Sequence, residues 1–182
     1  MPTSPYTPIL IVTGPPGVGK TTTARIVADR SPRAVHLETD AFFGFIRTGY
    51  VEPWRPDSHE QNRVVMRIVA EAAAGYAAAG YRTIVDGIVI PEWFLEPLRD
   101  AFHEAGCQVA YAVLRAPLAT CLARVQDREG APPIEAGAIE QLWESFTGLA
   151  HLEVNVLEVG DRSADEAADM LERHLAVGGL NV

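Results

Sequence analysis

The segment Gly14-Pro-Pro-Gly-Val-Gly19-Lys20-Thr21 decides the predicted fold of this chain. It matches the pattern G-x-x-x-x-G-K-[ST] and lies between an apolar run that predicts a strand and a pattern that predicts a helix. Gly14 and Gly19 allow backbone angles at which successive N–H groups surround an anion, and the positive end of the following helix points at the same anion. We therefore predict a loop that binds the phosphate groups of a nucleotide.

Lys20 is the only lysine in the chain, since the other 14 of the 15 basic residues are arginines. A compact ammonium group on a flexible stem suits contact with the β- and γ-phosphates, where it would stabilise developing charge during catalysis. The Thr21 hydroxyl is predicted to bind Mg²⁺. We therefore expect ATP and Mg²⁺ as cofactors. The residues of this segment predicted to bind the nucleotide are Gly14, Pro15, Pro16, Gly17, Val18, Gly19, Lys20, Thr21 and Thr22.

Short apolar runs alternate with helical patterns along the chain, which predicts a three-layer, doubly wound α/β fold with a five-stranded parallel sheet. Capping boxes are predicted at Ser58 with Gln61 and at Ser163 with Glu166. Ligands of such folds bind beyond the carboxyl ends of the strands. The predicted strands are Ile9–Val12, Ala34–Glu38, Thr83–Asp86, Gln108–Leu114 and Val154–Val159, and helices are predicted from about Gly19, Ser58, Pro97 and Pro117, around Ile139 and from Ser163.

Length and composition indicate one globular domain over residues 1–182. The formal net charge of −9 argues against long nucleic acids as partners, because their phosphates would be repelled. No apolar stretch approaches the roughly 20 residues of a membrane helix, and the start does not resemble a secretory signal. Two cysteines form no disulfide framework. We expect a cytoplasmic protein.

Two carboxylates follow the second predicted strand. If the chain stays extended, Glu38 and Asp40 project to the same side, close to the phosphate-binding loop. Asp40 is our candidate for the base that takes the proton of an acceptor hydroxyl, and Glu38 for a partner of Mg²⁺. The alternative is that Asp40 caps a helix over Ala41–Arg47.

A third carboxylate ends the apolar run Ile84-Val85-Asp86-Gly87. Asp86 is predicted to bind Mg²⁺, directly or through water, or to contact the substrate. Gly87 would allow a ligand to approach closely. The alternative is a turn that starts with an Asp-Gly pair.

Two arginines four residues apart follow the fourth predicted strand. Arg124 and Arg128 share a helix face and would open a short lid over about residues 124–138. Their guanidinium groups can stack on adenine, and Arg128 is our candidate for neutralising charge on the transferred phosphoryl group. The alternative is a pair of surface arginines with Asp127 and Glu129 as partners.

The predicted acceptor-site segment covers about residues 41–63, and its part Ala41–Asp57 is unusually aromatic for a connection, which is typical of a wall of a small-molecule pocket. The alternative is that each aromatic side chain packs at the edge of the core. The residues predicted to bind the acceptor are Asp40, Phe43, Arg47, Trp54, Arg55 and Asp86.

These motifs resemble the adenylate-kinase-like P-loop kinases, and among them the chloramphenicol-phosphotransferase-like kinases of metabolites and antibiotics. The resemblance implies that Asp40 is the catalytic base or substrate anchor and that Arg124 and Arg128 are lid residues that contact the nucleotide. It rests on GPPGVGKT at 14–21, ETD at 38–40, IVDG at 84–87 and RAPLATCLARVQDR at 115–128.

The leading functional hypothesis is transfer of the γ-phosphate of ATP to a hydroxyl of a small molecule, either a metabolite or an antibiotic, with antibiotic resistance as one biological role. The alternatives are a nucleoside, nucleotide or polynucleotide kinase and an NTP-binding switch without an acceptor. A guanine-recognition motif N-K-x-D is absent, because Lys20 is the only lysine. The oligomeric state is left open, with a homodimer among the options.

Overall fold

The computed structural model describes residues 8–127 and 135–182. Within them, five parallel strands form one sheet: β1 (Ile9–Thr13), β2 (Ala34–Glu38), β3 (Arg82–Asp86), β4 (Val109–Arg115) and β5 (Val156–Glu158), in the order β2-β3-β1-β4-β5. The predicted α/β fold with a parallel five-stranded sheet is therefore confirmed.

Helices cover both faces of the sheet. They are α1 (Lys20–Asp29), α2 (Thr39–Gly44), α3 (His59–Ala78), α4 (Glu96–Glu104), α5 (Leu118–Gln126), α6 (Ala136–Glu144) and α7 (Ala164–Ala176). Short turns of 3₁₀ helix lie at Pro56–Ser58 and Ala150–Asn155, and a π-helical turn lies at Pro91–Leu95. No helix in the described parts of the chain is long and apolar enough to cross a membrane.

Strand β1 is buried on both faces, as a central parallel strand should be. Ile9 and Ile11 pack into the core beneath α3 and α4, whereas Leu10 and Val12 pack into the core beneath α1 and α7. This alternation follows from the two-residue period of side chains in a strand. The continuous apolar run before the phosphate-binding segment therefore places that segment at the centre of the sheet.

The carboxyl ends of three neighbouring strands meet at one edge of the sheet. Asp86 at the end of β3 is in register with Val12 of β1 on one side and with Glu38 of β2 on the other. Strands β3 and β2 lie on one side of β1 and strands β4 and β5 on the other, and the chain crosses between the two sides after β3. Such a switch point leaves a crevice beyond β1, where ligands of doubly wound sheets bind.

The last strand is shorter than predicted. Val154 belongs to the 3₁₀ turn and is 73% exposed, and the strand begins only at Val156. The carboxyl-terminal residues occupy the neighbouring part of β4: the Tyr111 amide donates to the Leu180 carbonyl at 2.8 Å, and the Val182 amide donates to the Val109 carbonyl at 3.2 Å. Because that edge of β4 is already paired, the predicted strand Val154–Val159 was wrong at its start.

One of the two predicted capping boxes is also wrong. The Ser58 hydroxyl donates to the carbonyls of Pro53 and Arg55, and Gln61 exchanges two hydrogen bonds with the backbone of Val51. Both side chains therefore hold the turn before α3 and do not cap the helix. At α7 the predicted box is confirmed, with Ser163 and Glu166 bonded reciprocally.

Asn155 joins the turn, β4 and the chain end. Its buried amide donates to the carbonyls of Tyr111 and Leu180, at 2.9 and 3.1 Å. We expect Asn155→Ala to lower the free energy of unfolding by about 1–3 kcal/mol, because two buried carbonyls lose a donor. Chemical denaturation measures the change. The matched control is the exposed neighbour, Val154→Ala, which should stay within about 0.5 kcal/mol of the wild type. Equal effects of the two substitutions would contradict this role of Asn155.

Candidate active site

The loop between β1 and α1 depends on three glycines with positive φ: Gly14 at 140°, Gly17 at 78° and Gly19 at 103°. Two of them also lack room for a side chain. A Cβ atom at Gly14 would lie 2.2 Å from the Leu114 carbonyl oxygen, and one at Gly17 would lie 2.3 Å from that of Cys121. The loop is therefore packed tightly against the end of β4 and against α5, and only glycine satisfies both constraints.

Helix α1 begins at the residue after Gly19, so its unpaired N–H groups face the loop. Lys20 is the first residue of the helix, and its ammonium group donates a hydrogen bond to the Pro15 carbonyl at 3.0 Å. The lysine side chain therefore lies back across the loop. The predicted nucleotide-binding residues form one continuous segment from the loop into α1, with the Lys20 ammonium group over the loop, and their binding of phosphate stays a prediction.

The Thr21 hydroxyl donates to Oδ1 of Asp86 at 3.1 Å, which joins α1 to the end of β3. Asp86 is only 3% exposed, and its second oxygen, Oδ2, lies 2.5 Å from Nε2 of His36. Both oxygens of this carboxylate are therefore held by neighbouring side chains. The structure brings together two residues that the sequence predicts as metal ligands from positions 65 residues apart.

These two residues fit Mg²⁺. A hydroxyl and a carboxylate are hard oxygen ligands, and Mg²⁺ commonly takes only one or two such ligands from the protein, with phosphate oxygens and water completing its shell. Among the described residues, no group of three or more His, Cys, Asp and Glu could hold a metal ion by itself. Two protein ligands would leave the remaining positions of Mg²⁺ to phosphate oxygens and water.

Glu38, the third predicted metal residue, contacts other side chains. Its carboxylate lies 3.8 Å from the Arg25 guanidinium and 4.0 Å from Nδ1 of His36. It is in register with Asp86 on the adjacent strand, so it lies beside the candidate metal site. Its role toward Mg²⁺ stays a prediction.

Asp40 is an exposed residue in the first turn of α2. The expectation of an extended chain through Glu38 and Asp40 is wrong, because the helix begins at Thr39 directly after β2. The alternative that Asp40 caps a helix Ala41–Arg47 is wrong for the same reason, since Glu38 occupies the cap position. Asp40 therefore presents its carboxylate from a helix N-terminus, which stabilises negative charge there.

Close packing explains why α2 begins so early. A Cβ atom at Gly87 would lie 1.9 Å from Oγ1 of Thr39, whose side chain is buried. The glycine after β3 makes room for Thr39, where the sequence had predicted room for a ligand. The start of α2, and with it Asp40, is thereby held against the end of the strand that carries Asp86.

The other predicted acceptor residues have different environments. Phe43 is half-buried and packs on the core, as the alternative interpretation predicts, whereas Trp54 is 39% exposed. Arg55 is bound by both oxygens of Asp57, at 2.9 and 3.0 Å. Arg47 is exposed. The structure thus does not gather these side chains into one cluster, and their binding of an acceptor stays a prediction.

Arg124 bridges the phosphate-binding loop and the turn after β5. Its guanidinium donates to the Val18 carbonyl at 3.4 Å and to the Gly160 carbonyl at 3.1 Å. This position beside the loop suits the predicted contact with a nucleotide. Arg128 and residues 129–134 of the predicted lid lie outside the described residues.

Sequence reasoning missed His36, Thr13 and Tyr111. His36 precedes Glu38 by two residues and therefore lies on the same face of β2, which was a usable signal. Thr13 accepts from the Val89 amide at 2.9 Å, and the Tyr111 hydroxyl donates to the Val89 carbonyl at 2.8 Å, so the loop after β3 is held at both backbone groups. A buried tyrosine indicates some partner, but not which one.

The tight contact of Gly17 gives a direct test of the loop. We expect Gly17→Ala to lower the free energy of unfolding by about 1–3 kcal/mol, because the new Cβ overlaps a backbone carbonyl and φ is unfavourable. The matched control is Gly75→Ala inside α3, where a Cβ atom meets nothing within 4 Å. There the same change should stabilise by about 0.5–1 kcal/mol. Chemical denaturation measures both changes in the free energy of unfolding. Changes of the same sign in the two variants would contradict this account.

Comparison with known proteins agrees with this geometry. A family model described as an AAA domain matches residues 9–149. No curated protein matches the chain in sequence.

Several solved structures share the fold over almost their whole length. The tunicamycin resistance protein of Deinococcus radiodurans is 21% identical, with a TM-score of 0.70 over 94% of this chain and 95% of that chain. A sugar kinase from Janibacter sp. HTCC2649 is also 21% identical, with a TM-score of 0.69 and coverage of 94% and 96%. A gluconokinase from Sinorhizobium meliloti 1021 is 15% identical, with a TM-score of 0.67 and coverage of 97% and 95%. The chain therefore belongs to this family of AAA domains, and its fold is that of the P-loop kinases.

Proposed function

We propose that this protein is an ATP-dependent phosphotransferase that moves the γ-phosphate to a hydroxyl group of a small molecule. The observation that carries the proposal is the hydrogen bond between Thr21 and Asp86 at the mouth of the glycine-rich loop. This bond brings a hydroxyl and a carboxylate together beside a glycine-rich turn that, in this proposal, binds an anion. A nucleoside triphosphate with its Mg²⁺ matches these groups, because its phosphates suit the turn and its metal suits the hydroxyl and the carboxylate.

The residues of the loop have separate roles in this proposal. The backbone N–H groups of the loop glycines and of the start of α1 bind the phosphates, and Lys20 neutralises charge as the γ-phosphoryl group leaves. Bound Mg²⁺ would be held by Thr21 and Asp86 and would neutralise further charge on the phosphates. Arg124 borders the loop at Val18, and in this proposal its guanidinium contacts the nucleotide.

Asp40 is the proposed base. It accepts the proton of the acceptor hydroxyl while that oxygen forms a bond to the γ-phosphorus and the bond to the leaving ADP breaks. Its exposure at the start of α2 leaves it accessible to an acceptor, and the contact of Thr39 with Gly87 keeps it near the end of β3.

The surroundings of Asp40 favour a neutral acceptor over an anionic one. Burial, and then the negative charges of Glu52 and Asp40, raise the pKa of Tyr50, so this phenol lies within the field of two carboxylates. In the described segment 41–63, Arg55 is paired with Asp57 and Arg63 with Glu60. Large exposed side chains follow β2 and β3 in the same region: Phe45, Tyr50, Trp54 and Trp93. We propose an uncharged acceptor with an apolar surface.

Similarity to other proteins supports the small-molecule class. The names of structurally similar proteins include a tunicamycin resistance protein, a sugar kinase and a gluconokinase. A role in antibiotic resistance and a chloramphenicol-phosphotransferase-like activity are finer versions of the same proposal. The net charge of −9 supports a small acceptor over a polynucleotide.

An acceptor panel tests the reaction. With Mg²⁺ and ATP, we expect acceptor-dependent release of ADP with neutral hydroxyl compounds, and less with their anionic counterparts. Matched pairs are glucose with gluconate and adenosine with AMP; tunicamycin and chloramphenicol extend the neutral set. Lys20→Ala should abolish the acceptor-dependent signal, and Arg173→Ala, at an exposed position on α7, should change it little. Faster turnover of the anionic member of each pair would contradict the proposed acceptor class, and ADP release independent of every acceptor would contradict phosphotransfer.

Asp40→Asn tests the base. We expect it to bind ATP with Mg²⁺ as the wild type does and to transfer phosphate at least about 100-fold more slowly, because an amide cannot take the proton. Calorimetry measures binding, and a coupled assay measures transfer. The control is Asp100→Asn on α4, where the carboxylate pairs with Arg99 at the surface. A rate within a few-fold of the wild type would show that Asp40 is not the base.

A further inference from the structure

His36 makes a direct side-chain contact with Asp86 of the candidate metal site. Its side chain, in β2, is only 12% exposed, and its Nε2 lies 2.5 Å from Oδ2 of Asp86. A carboxylate is only an acceptor, so the imidazole N–H donates. Oδ1 of the same carboxylate accepts from Thr21 at 3.1 Å. The histidine thus holds the oxygen that faces away from the loop.

We propose that His36 is a positioning residue, which fixes the carboxylate of Asp86 so that Oδ1 faces Thr21 and the metal that accompanies the nucleotide. This inference rests on the proposed function, because it concerns how the chain prepares for Mg²⁺-ATP. A carboxylate that ligates a metal is commonly held by a second hydrogen bond, and loss of that bond weakens metal binding. Without His36, the nearly buried Asp86 would lose its donor at Oδ2 and could turn away from Thr21.

The contact is not needed to align the two strands. Strands β2 and β3 are already paired along their whole length, from Ala34 with Arg82 to Glu38 with Asp86. The outer contacts of His36 are weaker: Nδ1 is 4.0 Å from Glu38, which lies 3.8 Å from an Arg25 side chain that is 60% exposed. Exposed ion pairs of this kind contribute little. The side-chain contact of consequence is therefore the one to Asp86.

Binding of ATP with and without Mg²⁺ tests the proposal without an acceptor. Calorimetry in Mg²⁺, and in EDTA, gives the factor by which Mg²⁺ strengthens ATP binding. We expect His36→Met to reduce this factor by about tenfold or more, with affinity in EDTA within about threefold of the wild type. His36→Gln should keep the factor within about threefold, because its amide can still donate to Asp86. His103→Met, at an exposed position on α4, is the control and should change neither value.

The outcomes separate this proposal from the proposed function. A His36→Met protein with the wild-type Mg²⁺ factor, or with equal loss of affinity in Mg²⁺ and EDTA, overturns the positioning role. If His36→Met does not fold, His36→Asn replaces it, since its shorter amide falls short of Asp86. Equal Mg²⁺ factors in the Asn and Gln variants then overturn the proposal. A wild-type protein that binds no ATP in Mg²⁺ would refute the proposed function itself.

Discussion

The close contact of glycine backbone with carbonyl oxygens holds the candidate site together. Gly14 lies against Leu114 and Gly17 against Cys121, so the loop is pressed onto the end of β4 and onto α5 with no space for side chains. This close packing restricts the loop to one backbone conformation, because protein interiors are densely packed. The start of α1, and therefore the positions of Lys20 and Thr21, follow from that shape.

From Thr21, a chain of side-chain hydrogen bonds connects three elements. The threonine on α1 bonds to Asp86 on β3, and Asp86 bonds to His36 on β2. The protein has a net charge of −9. Burying the Asp86 carboxylate costs desolvation energy, and hydrogen bonds from two donors offset that cost. A carboxylate held by two hydrogen-bond donors would suit a divalent cation.

The sequence predicted elements best where a local pattern carried the signal. Strands β1, β2 and β3, the loop and the Ser163 cap each depend on apolar runs, glycines or a four-residue motif, which are readable without knowing the neighbours. The predictions that were wrong concern residues whose structure depends on contacts outside the local sequence pattern. Val154 is excluded from β5 because the chain end pairs with β4, and Ser58 binds Pro53 and Arg55 in the preceding turn.

By itself, the sequence determined the fold class and the position of the glycine-rich loop, and it predicted Thr21 and Asp86 as metal ligands. Strand periodicity and glycine chemistry are properties of short segments, so they are visible without the tertiary structure. Only the tertiary structure decided that Thr21 and Asp86 touch, that His36 joins them, and that Asp40 stands in the first turn of a helix. These relations connect residues up to 65 positions apart. They arise from strand register and from the packing of Thr39 on Gly87, which no local pattern contains.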